Sequence, residues 1–283
     1  MIQSMTGYGK SVIQLDTKKI TLEIKSLNSK NLDINTRFPG VYREKELDIR
    51  RLLARKLIRG KIDMSFYIEL TSEETTTRIN AGIVANYIEQ LENIRKEGDV
   101  LAIAMRLPDV LKTEKEELDE AEWMIIEKGI QEAILSLEAY RSSEGAELKS
   151  DFEQRVETLL EKLENVMDLD SKRLEQVRER LKKSISEMQQ TVDENRFEQE
   201  LIYYLEKLDI TEEKVRLNNH LNYFVQELNS EDSNGKKLGF ISQEIGREIN
   251  TIGSKANYAP MQKVVVEMKD ELEKIKEQML NVL

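Results

Sequence analysis

Residues 152–166, Phe152-Glu-Gln-Arg-Val156-Glu-Thr-Leu159-Leu-Glu-Lys-Leu163-Glu-Asn-Val166, return an apolar side chain every three or four positions, the stripe of one helix face. The spacing resumes at Leu174, Val177, Leu181, Ile185 and Met188, shifted by one position near Asp170. From about Ser143 to Val192 there is no proline and one glycine, Gly145. This predicts one very long helix, or two forming a hairpin, that serves as an arm or packing seam. An ordinary core-facing helix is usually shorter.

Toward the N-terminus the pattern changes period. Ile20-Thr-Leu-Glu-Ile-Lys-Ser-Leu27 and Ile62-Asp-Met-Ser-Phe-Tyr-Ile-Glu-Leu70 alternate apolar and polar residues, as strands with one buried face do. Between them Val41 to Ile58 has helical spacing, bounded by Pro39-Gly40 and Gly60. Ile83 to Lys96 and Glu116 to Tyr140 are amphipathic, and Pro108 lies in a short connecting element. Toward the C-terminus four more helices are expected, over Asp193–Leu208, Thr211–Leu228, Lys236 to about Ile252, and Asn257 to the end. Thr211 reads as an N-cap, with Glu212 and Glu213 in the first turn. The fold class is therefore α+β. The expected units are an N-terminal α/β domain with a helical extension over 1–142, a long helical arm over 143–192 and a C-terminal helical domain over 193–283.

Composition narrows the function classes. The 283 residues include no cysteine, which excludes disulfides, thiolate zinc sites and a cysteine nucleophile, and fits a reducing compartment. No signal-peptide pattern opens the chain and no apolar run nears the roughly 20 residues that span a bilayer. The expectation is a cytoplasmic protein without a membrane partner. The formal net charge of −11 argues against a nucleic-acid partner only on average. Residues 1–70 carry a net +6, residues 71–170 a net −14 and residues 171–283 a net −3. The basic N-terminal part is thus free to face a polyanion while the acidic middle is solvated. There is no phosphate-binding glycine loop, dinucleotide fingerprint or His-Glu-x-x-His, so no nucleotide cofactor is expected.

Two helical faces gather groups suited to chemistry. Glu213, Arg216 and His220 share a face of the Thr211 helix, and Glu212 lies one turn before Arg216. In the block Gly235 to Lys255, Gln243, Glu244, Arg247, Glu248 and Thr251 form a polar face, with Asn250 and Lys255 near its end. Carboxylates one turn apart can share a hard divalent cation. Such spacings also occur on solvated helices. Glu198 and Glu200 can join only if their helix packs nearby.

These residues carry a family resemblance. The opening Met1-Ile-Gln-Ser-Met-Thr-Gly-Tyr-Gly, the stretch Lys25-Ser-Leu-Asn-Ser-Lys-Asn-Leu followed by Arg37-Phe-Pro, and Arg59-Gly-Lys61 resemble the bacterial YicC/YloC family of stress-associated endoribonucleases. So do Asn195-Arg-Phe-Glu-Gln-Glu-Leu201, the run Asp209 to His220, and Gln243 to Lys255. The resemblance runs from end to end. It implies cleavage of RNA dependent on Mn²⁺ or Mg²⁺, by a homo-oligomer, a hexamer enclosing RNA. On this reading Glu244, Glu248 and Glu212 hold metal. His220, Glu213, Arg216, Arg247 and Lys255 serve catalysis, with His220 as general acid or base and the cations positioning phosphates. Lys30, Arg37, Arg59 and Lys61 are expected to contact the RNA backbone. The family usually has an acid and an amide where this chain has Gly239 and Gly246, so a role for either in metal or phosphate binding would weaken activity. Two other readings use the same residues: a non-catalytic RNA-binding adaptor serving another nuclease, and a structural assembly whose polar faces are intersubunit salt bridges.

Overall fold

Residues 2–71, 77–94, 98–113, 118–187, 194–231 and 233–283 are described by the structure, a computed structural model. The side chains of 77, 112, 113, 184–187 and 194–197 fall outside that description. The N-terminal alternation builds a four-stranded sheet in the order β1-β2-β4-β3, from β1 (Gly7–Gln14), β2 (Lys18–Leu27), β3 (Leu32–Arg37) and β4 (Gly60–Leu70). β2 runs antiparallel to β1 and β4, with Ile20 opposite Ile68, while β3 and β4 are parallel. The parallel connection requires a crossover, supplied by a 3-10 turn (Gly40–Lys45) and α1 (Glu46–Leu57). Every second residue points to one face: Ile20, Leu22 and Ile24 of β2 with Ile62, Met64 and Phe66 of β4 are buried against Ile49, Leu53 and Leu57 of α1. A smaller satellite follows, with α2 (Ala81–Ile94), α3 (Val100–Ala104) and the strand pair β5 (Thr77–Ile79) and β6 (Leu111–Thr113), packed on Val84, Ala104 and Val110.

The long apolar repeat forms a single helix, α4 (Glu120–Glu187), of 68 residues, roughly 100 Å at the helical rise. It joins the expected segments 116–140 and 143–192 without a break at 142, and it does not fold back among its described residues. Residues 116, 96 and 188–193, at the expected ends of four helices and including Met188 of the repeat, lie outside the described residues. The two ends of α4 serve different cores. Trp123, Ile126, Ile130, Ala133, Ile134 and Leu137 close the sheet core. Phe152, Val156, Leu159, Leu163 and Val166 enter a helical core with α6 (Thr211–Leu228), α7 (Gly235–Lys255) and α8 (Ala259–Met279), where Phe152 meets Phe224 edge-on at 6.0 Å. α5 (Glu194–Lys207) lies beside the distal part of α4.

The shift of the repeat near Asp170 has a physical cause. There the apolar stripe gives way to buried charges. The Arg173 guanidinium, 1% exposed, donates through Nε to Asp170 at 2.9 Å and through Nη1 to the Lys255 carbonyl at 3.2 Å; Lys214 of α6 donates to Asp170 at 2.7 Å. The network ties α4 to the ends of α6 and α7 that lie farthest from their connecting loop.

The two cores are stitched at the junction. Met5 N–H donates to the Asn281 carbonyl, Leu283 N–H to that of Gln3, and Asn28 Nδ2 to that of Leu280. Arg141, buried on α4, reaches the carbonyls of Met5, Leu57 and Arg59 and the Ser26 hydroxyl. Burial pushes its guanidinium below the usual arginine range. Gly145 is required here, because a Cβ at that position would lie 2.2 Å from the Ile2 carbonyl oxygen.

Candidate metal centre

α6 and α7 are joined by a short loop at 229–234 and pair antiparallel, so the His220 turn of α6 faces the Glu244–Glu248 turn of α7. The apolar positions of both helices fix that pairing. Leu217, Leu221 and Phe224 of α6 and Ile241, Ile245, Ile249 and Ile252 of α7 are buried together. The polar positions next to this stripe are forced into proximity at its edge.

One ligand atom each from His220, Glu244 and Glu248 can be chosen so that all lie within 4.8 Å of one another. Their environments differ. Glu244 is half-exposed and has Arg247 3.8 Å away on its own helix. Glu248 is 4% exposed. Among the described residues neither the His220 nor the Glu248 side chain makes a hydrogen bond or ion pair. The Glu248 oxygens are not among the wholly buried atoms left without a partner, so the carboxylate keeps a narrow opening to solvent at the edge of the seam, where a compensating charge is still favourable. A divalent cation held by these three groups supplies one, so the residues present fit a metal. Imidazole with two carboxylates suits a transition ion such as Mn²⁺ better than Mg²⁺, which takes oxygen ligands and keeps much of its water.

Other expected site residues lie along the same seam. Glu213, 7% exposed, accepts from Lys255 Nζ at 2.7 Å; that ammonium also donates to the Asp209 carbonyl at 2.8 Å. The second carboxylate oxygen of Glu213 is buried without a partner. Glu212 ion-pairs with Arg216 on the exposed side of α6 and is not among the converging ligands. The helix cap also differs from expectation. Thr211 is the first helical residue, and Asp209 accepts from its N–H at 3.0 Å and its hydroxyl at 2.7 Å. Those hydrogen bonds hold the Asp209 carboxyl below its ordinary range. Thr251 donates to the Arg247 carbonyl, and Gln243 and Asn250 are exposed. Glu198 and Glu200 are exposed on α5, and the side chains of Asn195, Arg196 and Phe197 lie outside the described residues.

The two glycine departures stand away from the converging ligands. A Cβ at Gly239 would meet nothing within 4 Å, and one at Gly246 would meet Leu272 at 3.1 Å and Lys276 Nζ at 3.7 Å. Gly246 thus faces α8, and Gly239 faces open space. The basic residues of the sheet unit separate likewise. Lys30 and Arg59 flank the paired starts of β3 and β4, whereas Arg37 ends β3 on the far side and Lys61 is exposed one residue into β4.

The chain up to the middle of α4, and the part from later in α4 through the helical bundle, each match a known sequence family. Residues 2–150 match the N-terminal region of YicC-like endoribonucleases and residues 166–283 their C-terminal domain, so the chain belongs to the YicC-like endoribonuclease family. Among curated relatives, the "Probable endoribonuclease YicC" of Clostridioides difficile (strain 630) is 34% identical over 292 residues. The protein of the same name from Haemophilus influenzae is 29% identical over 287 residues. Each alignment covers the whole of both chains.

Proposed function

We propose that this chain is a metal-dependent endoribonuclease whose phosphodiester-cleaving centre is the His220–Glu244–Glu248 cluster. The observation that supports this most is the nearly buried, unpaired Glu248 carboxylate beside a second carboxylate and an imidazole. A bound divalent ion would supply Lewis acidity toward a phosphate oxygen and a nucleophilic water near neutral pH. The chain's own residues do the rest. Glu248 and His220 fix the ligand positions from two helices locked by a shared apolar stripe. Arg216 and Arg247, more than half exposed, offer planar donor forks for phosphate oxygens on either side. The Glu213–Lys255 pair, with the Arg173–Asp170–Lys214 network behind it, holds the far end of the α6–α7 hairpin in register, a positioning role.

The finer features belong to the same reading. The ion is Mn²⁺ or Mg²⁺, the chain acts as a homo-oligomer of six subunits, and its place is the cytoplasm. No described helix is long and apolar enough to cross a membrane.

Purified protein and a Glu248→Gln variant, incubated with a structured RNA and manganese, magnesium or chelator, test the proposal on a gel. The expected result is divalent-ion-dependent cleavage by the wild type alone. Equal cleavage by both overturns the assignment, and RNA binding without cleavage in any ion favours the adaptor reading.

A further inference from the structure

A cleft of about 860 Å³ lies where the sheet unit meets the helical bundle. Its lining comes from the N-terminal segment and the β3–β4 end of the sheet on one side, and from α7 and α8 on the other. Lys30, Arg59, Lys236 and Lys276 line it, and among the described residues no Asp or Glu does. In a chain with 54 acidic residues against 43 basic ones, four cations without an acid is a marked local inversion. Arg59 is held there by two bonds, its Nε donating to the Ser29 carbonyl and its own carbonyl accepting from buried Arg141. Lys276 has only a 3.6 Å contact to exposed Glu273, and among the described residues Lys30 and Lys236 have no ion pair.

The cleft and the metal centre lie on opposite flanks of α7. Gly239, Ser242 and Gln243 line the cleft; Glu244 and Glu248 turn toward His220. Between the flanks runs an exposed stripe, Lys236, Phe240, Gln243 and Arg247. Phe240 is 59% exposed, an apolar ring held largely in solvent. An aromatic ring beside a cationic groove is what a single nucleic-acid strand uses, with phosphates on the cations and a base on the ring face.

We propose that this cleft and Phe240 form a docking subsite for a single-stranded stretch of RNA, which crosses the exposed stripe of α7 to reach the His220–Glu244–Glu248 cluster. The identity of the polymer rests on the nuclease reading; the cation cluster does not. A strand on this path places phosphates in the cleft on the flank of α7 opposite the scissile bond. The subsite would also overcome the repulsion that a chain of net −11 presents to a polyanion.

The test uses the intact protein in chelator, where nothing is cleaved, with a fluorescein-labelled single-stranded RNA followed by anisotropy across a salt series. A Lys30→Gln/Lys236→Gln double variant should bind on the order of tenfold more weakly at about 0.1 M salt, and its log–log salt slope should be shallower by about 1.4, two phosphate contacts' worth. Phe240→Ala should lose on the order of tenfold with the slope unchanged. Lys128→Gln, exposed on the sheet-side half of α4, should match wild type. Double-variant affinity within about twofold of wild type, or an equal loss in Lys128→Gln, overturns the proposal. A Phe240→Ala protein that changes subunit number in light scattering while keeping its RNA affinity overturns the stacking role. Should the wild type bind through the cleft but cleave in no divalent ion, the nuclease reading falls and the subsite stands; cleavage with an unaffected double variant gives the reverse.

Discussion

The two flanks of α7 are built on opposite electrostatic rules. Toward α6, two carboxylates and an imidazole converge, and the most buried of them has no cationic partner among the described residues. Toward the sheet unit, four cations line a cleft to which no described Asp or Glu contributes. One helix thus separates a place that calls for a cation from a place that calls for an anion. An RNA substrate needs both, because a phosphate will not approach two carboxylates unless a metal inverts their charge and other cations hold the strand nearby.

Glu248 is the residue through which the comparison is most easily broken. Glu248→Gln should lower cleavage on the order of a hundredfold or more, the scale on which a single electrostatic group in a reaction centre matters, with metal-free RNA binding unchanged. Glu244→Gln, half-exposed, should fall less. Stability should move the other way. If the buried carboxylate is a functional liability, Glu248→Leu should stabilise the metal-free protein by about 1–3 kcal/mol, read as a higher Tm in chelator. A structural salt-bridge role predicts a lower Tm in the same experiment, and that outcome would return the α6–α7 seam to the assembly reading.

The sequence made one flank legible and left the other hidden, and the reason is range. Glu244 and Glu248 are one turn apart and share a face by spacing alone, whereas His220 sits on another helix and is grouped with them only through the family resemblance. The cleft is different. Lys236 is in the same block as the carboxylates, but Lys30 and Arg59 come from the start of the chain and Lys276 from its last helix. Only the stitching of Gln3 and Met5 to Leu283 and Asn281 brings them together, and no local pattern announces it. β1 and β3 were not singled out, whereas β2, β4 and the helix faces were readable from periods of two and 3.6. That α4 runs unbroken past residue 142 was not, since one helix can change partner from a sheet core to a bundle core without a change in its own period. Asp170 and Arg173 marked the place as an interruption of the stripe, but the interruption alone could not reveal a buried ion network. Helix geometry separates neighbouring residues: Glu213 turns inward toward Lys255, while Glu212, expected to hold metal, lies on the outer side with Arg216.

Gly239→Asp sharpens the cleft side of the comparison by a smaller amount. The space beyond Gly239 is open, so the substitution should cost the helix nothing and shift stability by less than about 1 kcal/mol. It would add a carboxylate to a cleft that has none. RNA affinity in chelator should fall a few-fold, roughly the effect of cancelling one phosphate contact at moderate salt, while Gly239→Asn should stay near wild type. Equal affinity for both would show that the strand does not pass this position.

The smallest effect concerns α8, which backs α7 and supplies Lys276 to the cleft. Glu271 of α8 accepts from Lys274 at 2.8 Å and from Arg155 of α4 at 3.0 Å. The Lys274 hydrogen bond first, then Arg155, holds its carboxyl below the ordinary 4.5 against the opposing effect of burial. Folding therefore makes this carboxyl a weaker base, and the stability it contributes is fully present above pH 4.5 and lost as pH falls through the lowered value. The pair is partly solvated, so the contribution is under about 1 kcal/mol. Glu271→Gln should lower stability by that amount at neutral pH, and its unfolding free energy should converge with that of wild type in acid. A gap that persists below the lowered pKa would mean that the glutamine disturbs α8 packing rather than removing a charge. In that case RNA affinity should fall with it, because Lys276 would move; a purely electrostatic loss leaves the cleft and its affinity as they were.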